Sequence, residues 1–321
     1  MTRPRICFAI LAHNDLPGLA DMVANLRAAA PGEDVVVYNG GAGFDPGGLD
    51  VDVCPTSRPL RYSGTARFHA EVMAWLAGRA HLPEYVVTLE PDMMLARRGF
   101  ADFLDRTMGD AGYLGTRFHQ VRPGWWDNPI GRRARWKWAE GWQELIGTPG
   151  PYHSFNPGQV FRREYVEKLA AHPGLDQIIR RAEASRLRAI DEVIYPSLAV
   201  GLRCRPMSNP GSRAITLRWY PPRQLADFLA DESVFLVHRV STDLAAADRR
   251  MVHDAVAGRL RPPADYDARH VPSGPWSQVK LHTERFFRRR YLDVRTALLP
   301  EVPRRAAAQL RAASQAEIRS R

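Results

Sequence analysis

The chain has 321 residues, 25% of them charged and 45% in the hydrophobic class, a balance that describes a globular protein and excludes a disordered, collagen-like or coiled-coil one. A chain of this length makes one large domain or two small ones and buries about three quarters of its unfolded surface without a disulfide or metal staple. The formal net charge of +10 points first to nucleic acid. However, residues 259–321 hold 14 Lys plus Arg against 6 Asp plus Glu, so residues 1–258 are nearly neutral.

Only 3 of the 45 cations are lysine, the mark of a GC-rich, bacterial-type genome, which explains part of the basicity. Cys7, Cys54 and Cys204 stand alone, without C-x-x-C spacing, which argues for a reducing compartment and against a disulfide framework or a Cys-rich zinc site. The apolar run near the N-terminus spans only residues 6–12, too short for a leader or a span. A soluble cytoplasmic protein is expected.

In chain order, the continuous apolar run 6–11 predicts a strand buried on both faces. A helix follows, starting at Asp15-Leu16-Pro17, with Leu19, Met22, Val23 and Leu26 at helical spacing. Val35-Val36-Val37-Tyr38 is a second strand, so the chain opens as a βαβ unit. A Gly/Pro/Asp-rich loop over 39–50, a short strand near 51–54 and an amphipathic helix over 66–80 come next. The strand Tyr85-Val86-Val87-Thr88-Leu89 then runs directly into Glu90-Pro91-Asp92. This predicts an open α/β sheet over about residues 1–115, where ligands sit beyond the carboxyl ends of the strands.

Five tryptophans (Trp125, Trp126, Trp136, Trp138, Trp142) interleave with Arg132, Arg133, Arg135 and Lys137. Such a segment can form a stacking platform for single-stranded nucleic acid or for sugar rings, or can pack over the sheet. Beyond it the pattern predicts a strand at 159–161, helices over 164–171, about 174–189 and 191–198, and strands over 214–220 and 233–238. Short basic helices are expected from Pro262 onward.

Glu90-x-Asp92 at a strand end can hold Mg²⁺ or Mn²⁺ through hard oxygen ligands, and a diphosphate through the metal, or can simply cap the next element. Asp191-Glu192 opens a helix, so the pair suits N-capping or, for Glu192, a general base. Arg218 and Arg239 lie near the ends of late strands, where guanidinium groups can neutralise a leaving diphosphate. Gly40, Gly41, Gly43, Gly47 and Gly48 follow the second strand rather than the first, unlike a dinucleotide turn, and describe a flexible surface loop. His13, His69, His153 and His238 lack zinc-ligand spacing.

These blocks together resemble the core-2/I-branching N-acetylglucosaminyltransferase and peptide O-xylosyltransferase family of GT-A-fold enzymes. The similarity covers about residues 5–245. It rests on the order of Ile10-Leu11-Ala12-His13-Asn14-Asp15-Leu16-Pro17, Leu89-Glu90-Pro91-Asp92-Met93, Gly158-Gln159-Val160-Phe161-Arg162, Ile190-Asp191-Glu192-Val193-Ile194-Tyr195, Leu217-Arg218-Trp219-Tyr220 and Phe235-Leu236-Val237-His238-Arg239. The resemblance implies an inverting, metal-independent glycosyltransferase with a GT-A-like open mixed sheet. Glu192 would be its base, and Arg218 and Arg239 would bind the donor diphosphate.

It further implies a nucleotide-sugar donor, of the UDP class, and a hydroxyl-bearing acceptor. His13, Asn14, Tyr38, Asn39, Glu90 and Asp92 would line the nucleotide and sugar, while Trp125, Trp126 and Asp191 are expected on the acceptor side. The family usually carries Asp and Lys after its second strand, where this chain has Tyr38-Asn39-Gly40-Gly41, and Arg239 replaces a more usual Lys. The expected organisation is a catalytic domain over 1–258, divided at 115/116 into nucleotide- and acceptor-binding halves. A basic helical extension over 259–321 is free to meet an anionic lipid surface or a partner. Two other readings stay open: a metal-dependent enzyme using Glu90, Asp92 and His238, and a nucleic-acid binder using the Trp/Arg segment and tail.

Overall fold

The structure, a computed structural model, describes residues 3–61, 64–122, 129–217 and 219–266. Arg218, Trp125, Trp126 and the extension from residue 267 lie outside the described residues.

The apolar run after Arg5 forms β1 (Ile6–Ala12). Its residues alternate between two cores: Ile6, Phe8 and Ile10 join one cluster, Cys7, Ala9 and Leu11 the other. Burial on both faces explains why the run shows no polar alternation. Next comes α1 (Leu16–Ala29), capped by Asp15, whose side chain accepts from the Gly18 amide at 2.9 Å. Then follow β2 (Asp34–Asn39), β3 (Asp52–Val53), α2 (Ala66–Ala77), β4 (Tyr85–Leu89), β5 (Met93–Leu95) and α3 (Phe100–Met108). The second half continues with β6 (Tyr113–Gln120), α4 (Pro129–Lys137), α5 (Trp142–Ile146), β7 (Tyr152–Arg162), α6 (Arg163–Ala170), α7 (Leu175–Ser185) and α8 (Asp191–Gly201). It closes with β8 (Pro206–Ser208), α9 (Pro222–Ala230), β9 (Leu236–His238) and α10 (Ala247–Val256).

Seven strands form one mixed open sheet in the order β3-β2-β1-β4-β7-β6-β8. β7 is antiparallel to both neighbours, while β1 is parallel to β2 and β4, and β6 to β8. Helices cover both faces: α1 and α3 pack with one cluster, α2, α6, α7 and α8 with the other. A separate β5-β9 ribbon, antiparallel with Met93 opposite His238, packs with α9 and α10.

The sequence pattern locates β1, β2, β4, α2 and α8 correctly, but the described residues of the strand expected over 214–220 do not form one. Residues Ser212–Ala214 make a 3₁₀ turn, and Ile215 contributes a single bridge to His238. Backbone that docks on β9 at one point lacks the continuous partner edge that a strand requires. The expected strand at 159–161 is the end of the much longer β7. The tryptophans divide: Trp138 and Trp142 are buried edge to face at 5.8 Å, whereas Trp136 is exposed. Among the described residues, no helix is long and apolar enough to cross a membrane, and all three cysteines are buried and free.

Candidate active site

Strand register brings three distant polar segments to one edge of the sheet. Ala12 pairs with Asn39 and Ile10 with Leu89, so His13, Asn39 and Glu90 leave neighbouring parallel strands at the same level. The glycines after β2 permit this approach. A Cβ on Gly41 would lie 1.7 Å from the His13 carbonyl oxygen, and one on Gly40 2.7 Å from the His13 ring. These two are therefore packed against the β1 exit, in contrast to the flexible loop expected for the glycine cluster. Asn39 braces the turn, its Oδ1 accepting from the Gly41 amide at 3.0 Å and its amide nitrogen donating to the Phe44 carbonyl.

The Glu90-Pro91-Asp92 turn meets the end of β9. The Met93–His238 register sets His238 Nε2 3.5 Å from Asp92 Oδ1, and Arg239 Nε lies 3.3 Å from Asp92 Oδ2. Arg239 also lies over the Trp219 ring, 4.8 Å from its centroid. Burial pushes the Asp92 carboxyl up, but the neighbouring His238 imidazole and the Arg239 charge outweigh it and hold Asp92 below the usual carboxylate range. Glu90, pushed up to about 7 by burial and the Asp92 charge, also feels Asp191 and Glu192. The two acidic segments that the sequence separates by about 100 residues thus share one electrostatic site.

Two further supports have no local sequence signal. Arg249 on α10 is fully buried, its Nε donating to the Ser241 carbonyl at 2.7 Å and its Nη2 to the Pro91 carbonyl at 3.2 Å, while Nη1 pairs with Asp21. Asp21 also bonds His253 Nε2 at 2.9 Å. This group holds the acidic turn from behind through its backbone, as the Val240 amide does by donating to the Asp92 carbonyl at 2.8 Å.

At the start of α8 the N-terminal boundary residue is Ile190, whose side chain makes no capping bond, and Asp191 and Glu192 fall in the first turn rather than at the cap. Asp191, expected on the acceptor side, is wholly buried, and both its carboxylate oxygens are without a hydrogen-bond partner. Glu192 is 8% exposed, and its Oε2 lies 2.9 Å from His153 Nε2 on β7. Burial pushes both carboxyls up to about 7, with the Glu192 charge adding to the rise at Asp191. Burial lowers His153 to about 4, so its ring is neutral at neutral pH.

Tyr38 is likewise buried, packed edge to face on Phe68 at 5.6 Å with its hydroxyl donating to Glu71 at 2.7 Å. It stabilises the wall instead of lining the cleft, because its place on β2 sends the side chain into the helix-covered core. His13 is half-buried and Asn14 exposed at the β1 exit. A void of about 10 Å³, room for one water, separates Glu90 from Thr65, His69 and Asn156. A larger cavity of about 650 Å³, lined by Glu144, His172, Gln177 and Arg181, holds none of the predicted site residues.

Asp191 and Glu192 ordinarily titrate near 3.8 and 4.5, and both are raised to about 7 in the fold. Their protonated forms favour folding, so this contribution is complete below about pH 4 and is lost as the pH rises through 7, on the order of 1–3 kcal/mol. Thermal melts are expected to give a higher Tm at pH 6 than at pH 8.5, with the slope reduced in Glu192→Gln. A Tm that is flat or rising across this window in the parent protein contradicts the charged-state penalty.

No protein-family model matches the sequence, and no curated protein matches it. Among solved structures, the galactosyltransferase LgtC, crystallised in complex with donor and acceptor sugar analogs, has a TM-score of 0.41 and 14% identity, covering 80% of this chain and 96% of LgtC. An active-site mutant of LgtC gives the same values. The fold and site themselves define an α/β protein whose sheet edge carries four carboxylates, two of them buried at a helix start and two in a turn beside His238 and Arg239.

Proposed function

We propose that the protein is a GT-A-like glycosyltransferase that moves a sugar from a nucleoside-diphosphate sugar to an acceptor hydroxyl, with inversion. The observation that carries this reading is the gathering of the proton-affine Glu192 and the Asp92–His238–Arg239 group on the carboxyl edge of one open sheet, where α/β proteins bind ligands. Glu192 takes the acceptor proton as that oxygen attacks the anomeric carbon, and a pKa near the working pH suits a general base. The bond from the anomeric carbon to the phosphate oxygen breaks, its electron pair leaves with the nucleoside diphosphate, and the Arg239 guanidinium balances the charge. Glu90 and Asp92 face the sugar or the ribose, and His13, Asn14 and Asn39 the nucleotide, with a uridine nucleotide the first donor to test. Arg218 would join Arg239.

A specific observation favours a second version of the same chemistry. Glu90, Asp92 and His238 each offer a ligand atom, all within 4.8 Å of one another, and His238 Nδ1 is a buried atom without a hydrogen-bond partner. Two carboxylates and an imidazole fit Mn²⁺ or Mg²⁺. Such an ion would supply Lewis-acid stabilisation of the departing diphosphate beside Arg239.

Calorimetric titration with UDP, GDP and ADP, before and after EDTA, tests both versions. One nucleoside diphosphate is expected to bind in preference to the others. Binding that survives EDTA assigns the diphosphate to arginine, and binding restored only by Mn²⁺ or Mg²⁺ assigns it to the cation. Absence of binding under every condition overturns the reading.

A further inference from the structure

We propose that His153 is a positioning residue for Glu192, an imidazole that orients the carboxylate and favours its ionised form through a hydrogen bond from β7. The inference rests on the glycosyl-transfer reading for its role in turnover, although the contact itself does not.

The geometry is built by the sheet. β7 is the strand that runs against its neighbours, so its first residues, not its last, project at the ligand edge. His153 there is 6% exposed, and its Nε2 meets Glu192 Oε2 at 2.9 Å. Its cross-strand partner is His119 on β6, with ring centroids 5.2 Å apart. The neighbouring charge of His119 adds to burial in keeping His153 neutral. His119 Nδ1 is itself committed to the Arg117 carbonyl at 2.8 Å.

A neutral imidazole bonded to a carboxylate through Nε2 carries its proton on that nitrogen, because the ionised carboxylate only accepts. That tautomer leaves Nδ1 as an acceptor; Nδ1 is buried without a hydrogen-bond partner. The bond uses Oε2, so Oε1 can take the acceptor proton. That proton passes to Glu192 as the new C–O bond forms and is later released to solvent, while His153 neither gains nor loses one.

The groups that act on Glu192 come from several elements. Asp191 adjoins it on α8, and Glu90 at the end of β4 and Tyr113 on β6 interact with it electrostatically. The backbone of Asn156 on β7 favours the charged form, and on this proposal a proton on His153 Nε2, 2.9 Å from Oε2, acts in the same direction. Removing one donor while the others remain shifts the balance toward the protonated carboxyl.

The experiment compares His153→Leu, which removes the donor, with His153→Gln, whose amide can restore it. In the Leu variant kcat is expected to fall about 10- to 100-fold, with donor KM within about twofold and the rising limb of the kcat–pH profile moved upward. The Gln variant is expected to recover most of kcat and the parent profile. Wild-type kcat and an unmoved profile in a folded Leu variant overturn the proposal.

Carboxyl ¹³C titration of Glu192, assigned by difference with Glu192→Gln, reads the contact without turnover. A raised midpoint in His153→Leu, or in His153→Phe should the Leu variant not fold, supports it, and an unchanged midpoint overturns it. If the parent protein transfers no sugar yet the midpoint shifts, the functional reading fails while the contact stands.

Discussion

Glu192→Gln is expected to lower kcat by about 10²–10⁴-fold, the usual contribution of general-base catalysis, while nucleoside-diphosphate affinity stays within about twofold. The amide keeps the shape of the side chain and can accept from His153 Nε2, which meets Glu192 Oε2 at 2.9 Å, so the loss isolates proton transfer. The same substitution removes a buried charge, since Glu192 is raised to about 7 chiefly by burial. At pH 8 the variant is therefore expected to be more stable, on the order of 1–3 kcal/mol. Lost activity with gained stability is the pattern of a functional residue held in an unfavourable environment. Single-turnover assays and thermal melts on one preparation check both halves. Retained turnover moves the base elsewhere, and a fall in nucleotide affinity makes Glu192 a donor-site residue.

Arg239→Ala is expected to lower kcat by about 10²–10³-fold, the range seen when one preorganised stabiliser of transition-state charge is removed. Arg239 interacts with Asp92 at 3.3 Å and lies over Trp219, with its side chain 43% exposed. Arg239 is half-exposed but Asp92 is only 19% exposed, so removing the guanidinium takes compensation from a largely buried carboxylate and a modest fall in Tm accompanies the loss of rate. Arg239→Lys keeps the charge but not the planar fork and is expected to fall between the parent and the Ala variant. Steady-state rates with saturating donor, alongside calorimetric affinity for the nucleoside diphosphate, measure the effect. If Arg239→Ala stays within twofold of the parent in both, the leaving group is balanced by something else, and a divalent ion on Glu90, Asp92 and His238 is the alternative that EDTA checks.

The parts of the fold legible in the sequence are those set by local pattern. The runs of β1, β2 and β4 are continuous because both faces are buried, and the 3.6-residue spacing of α2 survives as its buried stripe Phe68, Val72, Met73 and Leu76. The polar end that Glu90 and Asp92 give to β4 is legible because they follow a continuous buried run. The His153–Glu192 contact is not, because the two residues stand 39 positions apart and no short-range spacing links them. Arg249 looks in sequence like one more surface cation, yet it is fully buried against Asp21 and Pro91, a placement to which no local signal points. Tyr38 and Asp191, expected on the ligand side, are both buried, because side-chain direction at element ends depends on the packed neighbours.

The sequence by itself determined that the chain forms an α/β domain with a nearly neutral body, that basic residues concentrate after position 258, and that polar clusters end the buried strands. Those properties follow from composition and short-range periodicity, which need no partner. The tertiary structure alone decided which clusters meet. Parallel register set His13, Asn39 and Glu90 side by side, the reversed direction of β7 carried His153 to Glu192, and the β5–β9 pairing brought His238 and Arg239 to Asp92. Strand order and direction are settled by long-range pairing and burial, and the electrostatics of the site, with carboxyls raised near 7 beside one held low, exist only once that burial has removed water from around them.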